Sequence, residues 1–140
     1  MSDFYNLQRF VEAQDHVYTQ VCSELRQGEK RSHWMWYIFP QIQGLGHSFN
    51  ARLFAISSLA EAQAYLQHPI LGSRLIECTT LVMAVEGRPS ENIFGYIDSL
   101  KFCSSMTLFA HAAQDNKVFV DAVKKYFDGE YDEQTLKRLR

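Results

Sequence analysis

Apolar residues recur at spacings of three and four through the start of the chain. Leu7, Phe10, Val11, Val17, Tyr18, Val21, Cys22 and Leu25 fall on one face of a single helix at that spacing. Ser2 or Asp3 can cap its start. Gly28 is placed to end it, because a glycine just past the last turn takes the left-handed conformation without strain at Cβ. From Ser32 the pattern changes. His33-Trp34-Met35-Trp36-Tyr37-Ile38-Phe39 is apolar on every side and stops at Pro40. With Ser32 as cap it reads as a short buried helix, and periodicity leaves a strand open as the alternative. Gln41 to Gly46 reads as a loop, since Gly44 and Gly46 free the backbone for positive φ. A helix resumes from Phe49 to Ile56.

The second half is punctuated more clearly. Ser58 and Glu61 form a capping box, in which each side chain satisfies an unpaired backbone N–H, and the helix they open breaks at His68-Pro69. Leu71, Leu75, Cys78, Leu81, Val82 and Val85 mark a central helix that ends by Gly87. Ser90 is expected to cap a short helix to Phe94, and Asp98 or Ser99 a helix through about Ala113. Val118, Phe119, Ala122, Val123, Tyr126 and Phe127 form the next stripe, closed by Asp128-Gly129, and Asp132 caps a basic tail helix. No alternating strand pattern and no internal repeat is found. The expectation is an all-α fold: one compact domain over residues 1–140, an orthogonal bundle of seven or eight helices burying their stripes against one another.

Composition narrows the function classes. A chain of 140 residues with 46% hydrophobic and 21% charged residues makes one core and is not disordered. A net charge of −2 without a basic block argues against nucleic acid as partner, and the basic residues of the tail, Lys137, Arg138 and Arg140, read as a helix end or solvated face. Cys22, Cys78 and Cys103 are odd in number and widely spaced, which favours buried thiols in a reducing cytoplasm over disulfides. The five histidines show no metal-like spacing, so no metal and no cofactor are expected. No signal peptide and no apolar run approaching the ~20 residues of a membrane span is present, which gives a cytoplasmic address without a membrane partner. Nucleophile-elbow, phosphate-loop and zinc-protease motifs are missing.

Two segments carry candidate chemistry. In the first, Trp34, Trp36, Tyr37 and Phe39 offer a stacking wall for a planar ring, and Gln41 with Gln43 offers amide donors and acceptors. The Gly44–Gly46 loop leads toward a helix start near Ser48 that suits a phosphate or carboxylate, and His33 is a candidate proton carrier. The opposing reading makes the aromatics core, the glycines a turn and His33 the partner of a buried carbonyl. In the second segment, Lys101, Ser104, Ser105 and Leu108 share a helical face, where a lysine and two hydroxyls can hold an anion and Asp98 can orient the lysine or act as a base. Its opposing reading is close helix packing over the serines, with a surface Asp98–Lys101 pair. Glu61 is assigned to its cap and Glu77 to an i,i+3 pair with Arg74.

These segments also carry a resemblance. Ser32 to Trp36, Phe39-Pro40-Gln41, Gly44-Leu45-Gly46, Tyr65-Leu66 with His68-Pro69 and Leu71-Gly72, Ile93-Phe94-Gly95 and Ser104 to Phe109 together resemble the bacterial "domain of unknown function 1810" family, in that family's order and over nearly the whole chain. The resemblance implies an all-helical single domain and no established activity. By size and class alone, the chain is also analogous to small helical domains that hydrolyse N-glycosidic bonds in ADP-ribose derivatives. The functional expectation is a small-molecule enzyme or binder acting on a nucleotide- or ADP-ribose-like ligand. The alternative is a non-catalytic interaction domain, in one form a homodimer, anchored by exposed aromatics. The first reading requires His33, Gln41 and Lys101 to line one cavity.

Overall fold

The computed structural model describes residues 3–140. Asp3 opens the chain as a cap, its carboxylate accepting the Leu7 and Gln8 amides at 2.8 and 2.9 Å; Ser2 lies outside the described residues. The predicted first helix is two helices, α1 (Gln8–Asp15) and α2 (Tyr18–Gln27), broken where Val17 leaves helical geometry at φ −131° and ψ −3°. Tertiary bonds straddle the break. Arg74 pairs with Asp15 at 2.8 Å and lies over the Tyr18 ring, while Gln14 donates to the Tyr37 carbonyl and the Tyr65 hydroxyl. The bend lets the apolar stripes of both segments face one core. Gly28 ends α2 at φ +72°, in the left-handed conformation expected of it.

Glu24 then organises the crossing to α3 (Met35–Ile38). Its carboxylate is buried and accepts from the Arg31 amide at 2.7 Å, the Ser32 amide at 3.1 Å, the Ser32 hydroxyl, the Gln20 amide group at 3.0 Å and the Trp34 indole N–H at 3.0 Å. Ser32 is committed to this carboxylate and makes no cap for α3. Burial works to raise the Glu24 carboxyl, but the hydrogen bonds from Ser32, Arg31, Trp34 and Gln20 outweigh it and hold the group at about 2.

Helix α4 (Phe49–Leu53) is capped by Ser48, whose hydroxyl accepts the Ala51 amide at 3.1 Å. It stops short of the predicted Ile56 because that residue forms an isolated parallel bridge with Ile42, its amide donating to the Gln41 carbonyl and its carbonyl accepting from Gln43. Helices α5 (Leu59–Gln67) and α6 (Leu71–Met83) follow the sequence expectation closely. The capping box forms only in part. Ser58 accepts the Glu61 amide, but Glu61 takes the Ser57 amide and hydroxyl and pairs with Arg9 at 3.0 Å.

Helices α7 (Ser90–Phe94) and α8 (Tyr96–Ala112) meet at Gly95, φ +85°. Neither Ser90, Asp98 nor Ser99 caps. The Ser90 and Ser99 hydroxyls bond each other at 2.5 Å, and Asp98 joins Lys30. Helix α9 (Lys117–Phe127) ends on Asp128 in the left-handed conformation, and α10 (Glu133–Arg138) is capped by Asp132 as expected. The fold is all-α, with ten helices among the described residues rather than seven or eight. Helix α8 runs through the centre, buried from Phe102 to Ala110, with α5, α7, α9 and α10 packed around it. Rings of Phe39, Phe94, Phe102, Tyr65, Phe109 and Phe119 connect the layers. No helix among the described residues is long and apolar enough to cross a membrane.

Replacing Glu24 with Ala leaves buried donors unmatched, each costing about 1–3 kcal/mol. The expected loss is about 3 kcal/mol or more, and a fall in Tm of about 10 °C. Because the folded carboxyl sits below its ordinary 4.5, its contribution is complete above that value and is lost as pH falls toward 2. Thermal melts at pH 7 and pH 3 check this: the gap between wild type and Glu24→Ala narrows in acid, and equal melts at pH 7 refute the role.

Candidate functional site

The bridge between Ile42 and Ile56 pins the two ends of a segment that contains the Gly44–Gly46 loop and α4. Behind it, Arg9 donates to the Leu53 and Ala55 carbonyls at 2.8 and 2.9 Å and so fixes the exit of α4. Positive φ favours glycine at Gly44, and close approach demands it at Gly46. Gly44 has φ +96°, and a Cβ there would overlap the Arg138 guanidinium, whose Nη2 donates to the Gly44 carbonyl at 3.4 Å. A Cβ on Gly46 would stand 2.6 Å from that of Ala51. The loop is thereby pressed between α4 and the end of α10.

A cavity of about 320 Å³ opens there, lined by Gln43, Gly44, Gly46, His47, Arg52, Ala55 and Arg138. No carboxylate of the described residues lines it. Among the described residues the half-buried cations Arg9, Lys30, Arg74 and Lys101 each have a carboxylate within ion-pair distance, whereas the exposed Arg52 and Arg138, like the exposed Arg26 and Arg88, have none. Two guanidinium groups, which hold their charge at any physiological pH, therefore face a polar hollow without a counter-ion. The chemistry this favours is capture of an anion, by forked hydrogen bonds from arginine and a further contact from the His47 ring or the loop.

The other sequence candidates lie elsewhere, and the predicted convergence does not occur at this cavity. Gln43, Gly44 and Gly46 line it, but His33, Gln41 and Lys101 do not. Gln41 contributes its backbone carbonyl to the bridge, and His33 is exposed. Trp34 is 1% exposed with its indole N–H on Glu24, so it offers no face to a ligand, and Phe39 is fully buried. Trp36 is half-buried, with the Lys101 ammonium 5.5 Å from its ring centre. Asp98 bridges two lysines, at 2.9 Å to Lys30 and 3.7 Å to Lys101, so neither ammonium is left free for an anion. Ser104 and Ser105 are buried within α8. The one proton of the Ser104 hydroxyl is shared between the Leu100 carbonyl and Asp132, and Ser105 Oγ is enclosed without a partner among the described residues. Small side chains there let neighbouring helices close on α8.

Two further assignments change. Glu77 receives the Tyr18 hydroxyl rather than Arg74, which is taken by Asp15. All three cysteines are free and buried. Burial pushes the Cys78 thiol up to about 12 and the Cys103 thiol up to about 11, so both stay protonated at neutral pH and are poor nucleophiles.

Sequence reasoning missed His47, Arg52 and Arg138. A local signal existed for the arginines. Within their own helices, neither has an acidic residue three or four positions away, so neither is neutralised along its own face.

A family model described as "Protein of unknown function (DUF1810)" matches residues 4–139. The chain is also similar to a solved structure, the conserved hypothetical protein Rv1873 from Mycobacterium tuberculosis, at 56% identity, a TM-score of 0.97 and 98% coverage of each chain. No curated protein matches the chain.

The two glycines Gly44 and Gly87 separate backbone strain from the contact with Arg138. Gly87 has φ +69° and open space where a Cβ would stand, so Gly87→Ala costs about 1 kcal/mol from backbone strain alone. Gly44→Ala carries similar strain and also displaces the Arg138 guanidinium. Denaturant melts with a crystal structure of Gly44→Ala check this; an unmoved Arg138 refutes the contact.

Proposed function

The chain belongs to the DUF1810 family, and from that premise we propose that it binds a compact, phosphate-bearing small molecule in the cavity formed by the Gly44–Gly46 loop, His47, Arg52 and Arg138. One observation carries the reading: two exposed arginines without a carboxylate partner among the described residues, Arg52 of α4 and Arg138 of α10, converge from distant parts of the chain on one cavity. A phosphate or diphosphate supplies the missing charge and matches the forked geometry of guanidinium. The lining contains no tryptophan, tyrosine or phenylalanine, which favours recognition of the phosphate portion of a nucleotide- or ADP-ribose-like ligand over recognition of its base. Three buried free thiols fit a reducing compartment such as the cytoplasm.

Calorimetric titration with inorganic pyrophosphate, ADP and ribose 5-phosphate tests the reading. Each arginine contact to a charged oxygen contributes about 1.5–3 kcal/mol. Arg52→Ala and Arg138→Ala are therefore each expected to weaken binding by roughly 10- to 150-fold, while Arg26→Ala, an exposed arginine of α2, leaves it unchanged. Failure of all three anions to bind, or binding indifferent to both cavity arginines, overturns it.

The alternative, self-association through exposed apolar side chains, draws on Tyr96, Ile97 and Leu100, which are 65%, 67% and 51% exposed along the start of α8. On that reading Ile97→Glu abolishes a rise of scattering mass with protein concentration. A wild-type mass that stays at 16.2 kDa across the concentration range removes it.

A further inference from the structure

We propose that residues 130–140 are a latch whose docking on α8 is thermodynamically linked to occupancy of the anion cavity; this rests on the reading of that cavity given above. The segment is held to one face of α8 mainly by polar bonds. Cys103 Sγ lies 3.8 Å from the Glu130 carbonyl, and Thr107 Oγ1 accepts the Asp132 amide at 2.9 Å while donating to the Cys103 carbonyl at 2.8 Å. The Ser104 hydroxyl donates to Asp132 Oδ2 at 3.2 Å, and the His111 and Tyr131 rings meet edge to face at 4.9 Å. Asp132 then starts α10, its Oδ2 accepting the Thr135 amide at 3.0 Å and the Thr135 hydroxyl at 2.6 Å.

Within α10 only Thr135 is fully buried; Leu136 and Leu139 are half-buried, and Glu133, Gln134, Lys137 and Arg138 are exposed. An element that buries so little apolar surface opens at low cost compared with the core. Yet its last turn delivers Arg138 to the Gly44 carbonyl, 94 positions away in the chain. With the segment docked, an anion meets two guanidinium groups. With it released, only Arg52 remains.

A ligand that binds the docked form more tightly must stabilise docking by the same factor, because the coupling is reciprocal. Asp132 and Ser104 are then positioning residues for Arg138: they touch no ligand, and their hydrogen bonds set where α10 begins. Delivery of Arg138 to the rim of the anion cavity is what ties docking of this segment to occupancy.

Hydrogen exchange on the full chain, with and without inorganic pyrophosphate, reads the coupling. Saturating pyrophosphate is expected to slow exchange of the α10 amides by at least about 5-fold. Asp132→Ala should weaken pyrophosphate binding by a similar factor in the wild-type background and have no further effect in Arg138→Ala. Ser104→Ala, a gentler change, should act in the same direction and also vanish in Arg138→Ala. Unchanged exchange in α10 while wild type binds pyrophosphate overturns the latch. So does an Asp132→Ala penalty of equal size in both backgrounds, which marks general structural damage. In both cases binding still depends on Arg52, so the cavity stands without the latch. Absence of pyrophosphate binding in wild type removes cavity and latch together.

Discussion

A single buried carboxylate, that of Glu24, governs how the first third of the chain enters the core. A carboxylate removed from water has to be matched by a cation or by hydrogen bonds, and here the match is entirely hydrogen bonds, from Gln20, Arg31, Ser32 and Trp34. Those donors come from α2 and from the segment that leaves it. Satisfying the charge therefore dictates how the chain turns after Gly28. The turn brings the Lys30 amide onto the Ile93 carbonyl at 2.7 Å and the Lys30 ammonium, with a side chain only 8% exposed, onto Asp98. Glu24 thus links α2, the aromatic segment, α7 and the start of α8 through directional bonds rather than packing alone.

The same demand for charge matching makes the cavity at Gly44 stand out. Arg9 is satisfied by Glu61 and four carbonyls, Arg74 by Asp15 and Gln14, and Asp98 by two lysines. Arg52 and Arg138, like the exposed Arg26 and Arg88, have no carboxylate partner among the described residues, and both face one hollow. Convergence of two unpaired cations on one hollow is a better pointer to ligand chemistry than the richness of any one segment in aromatic or amide residues.

The aromatic abundance has a different use. Phe39, Phe94 and Phe102 pack edge to face or stacked at 4.8–6.0 Å, and Tyr65 joins Phe10 and Phe109 across the middle of the protein. Trp34 is part of this core and spends its one polar atom on Glu24. The segment that looks most like a ligand wall in the sequence is a wall of the hydrophobic core. Only Gln43 and the segment's trailing glycines reach the candidate site.

Local signals along the chain determined much of this protein. Helical periodicity with Ser58 as cap and His68-Pro69 as breaker located α5, left-handed residues after α2 and α9 closed those helices, and Asp132 opened α10. Such features are readable because a helix and its caps depend on neighbours within one or two turns. The all-α class followed from them, and the family resemblance agreed. Tertiary structure alone decided the rest. The first apolar stripe bends at Val17, between residues that Arg74 contacts on both sides, and α4 stops where Ile56 pairs with Gln41. Lys101 is neutralised by Asp98, whereas Arg138 finds only a glycine carbonyl. Whether a charged side chain is matched depends on what the fold brings beside it from distant positions, and no pattern confined to a few turns of sequence contains that information.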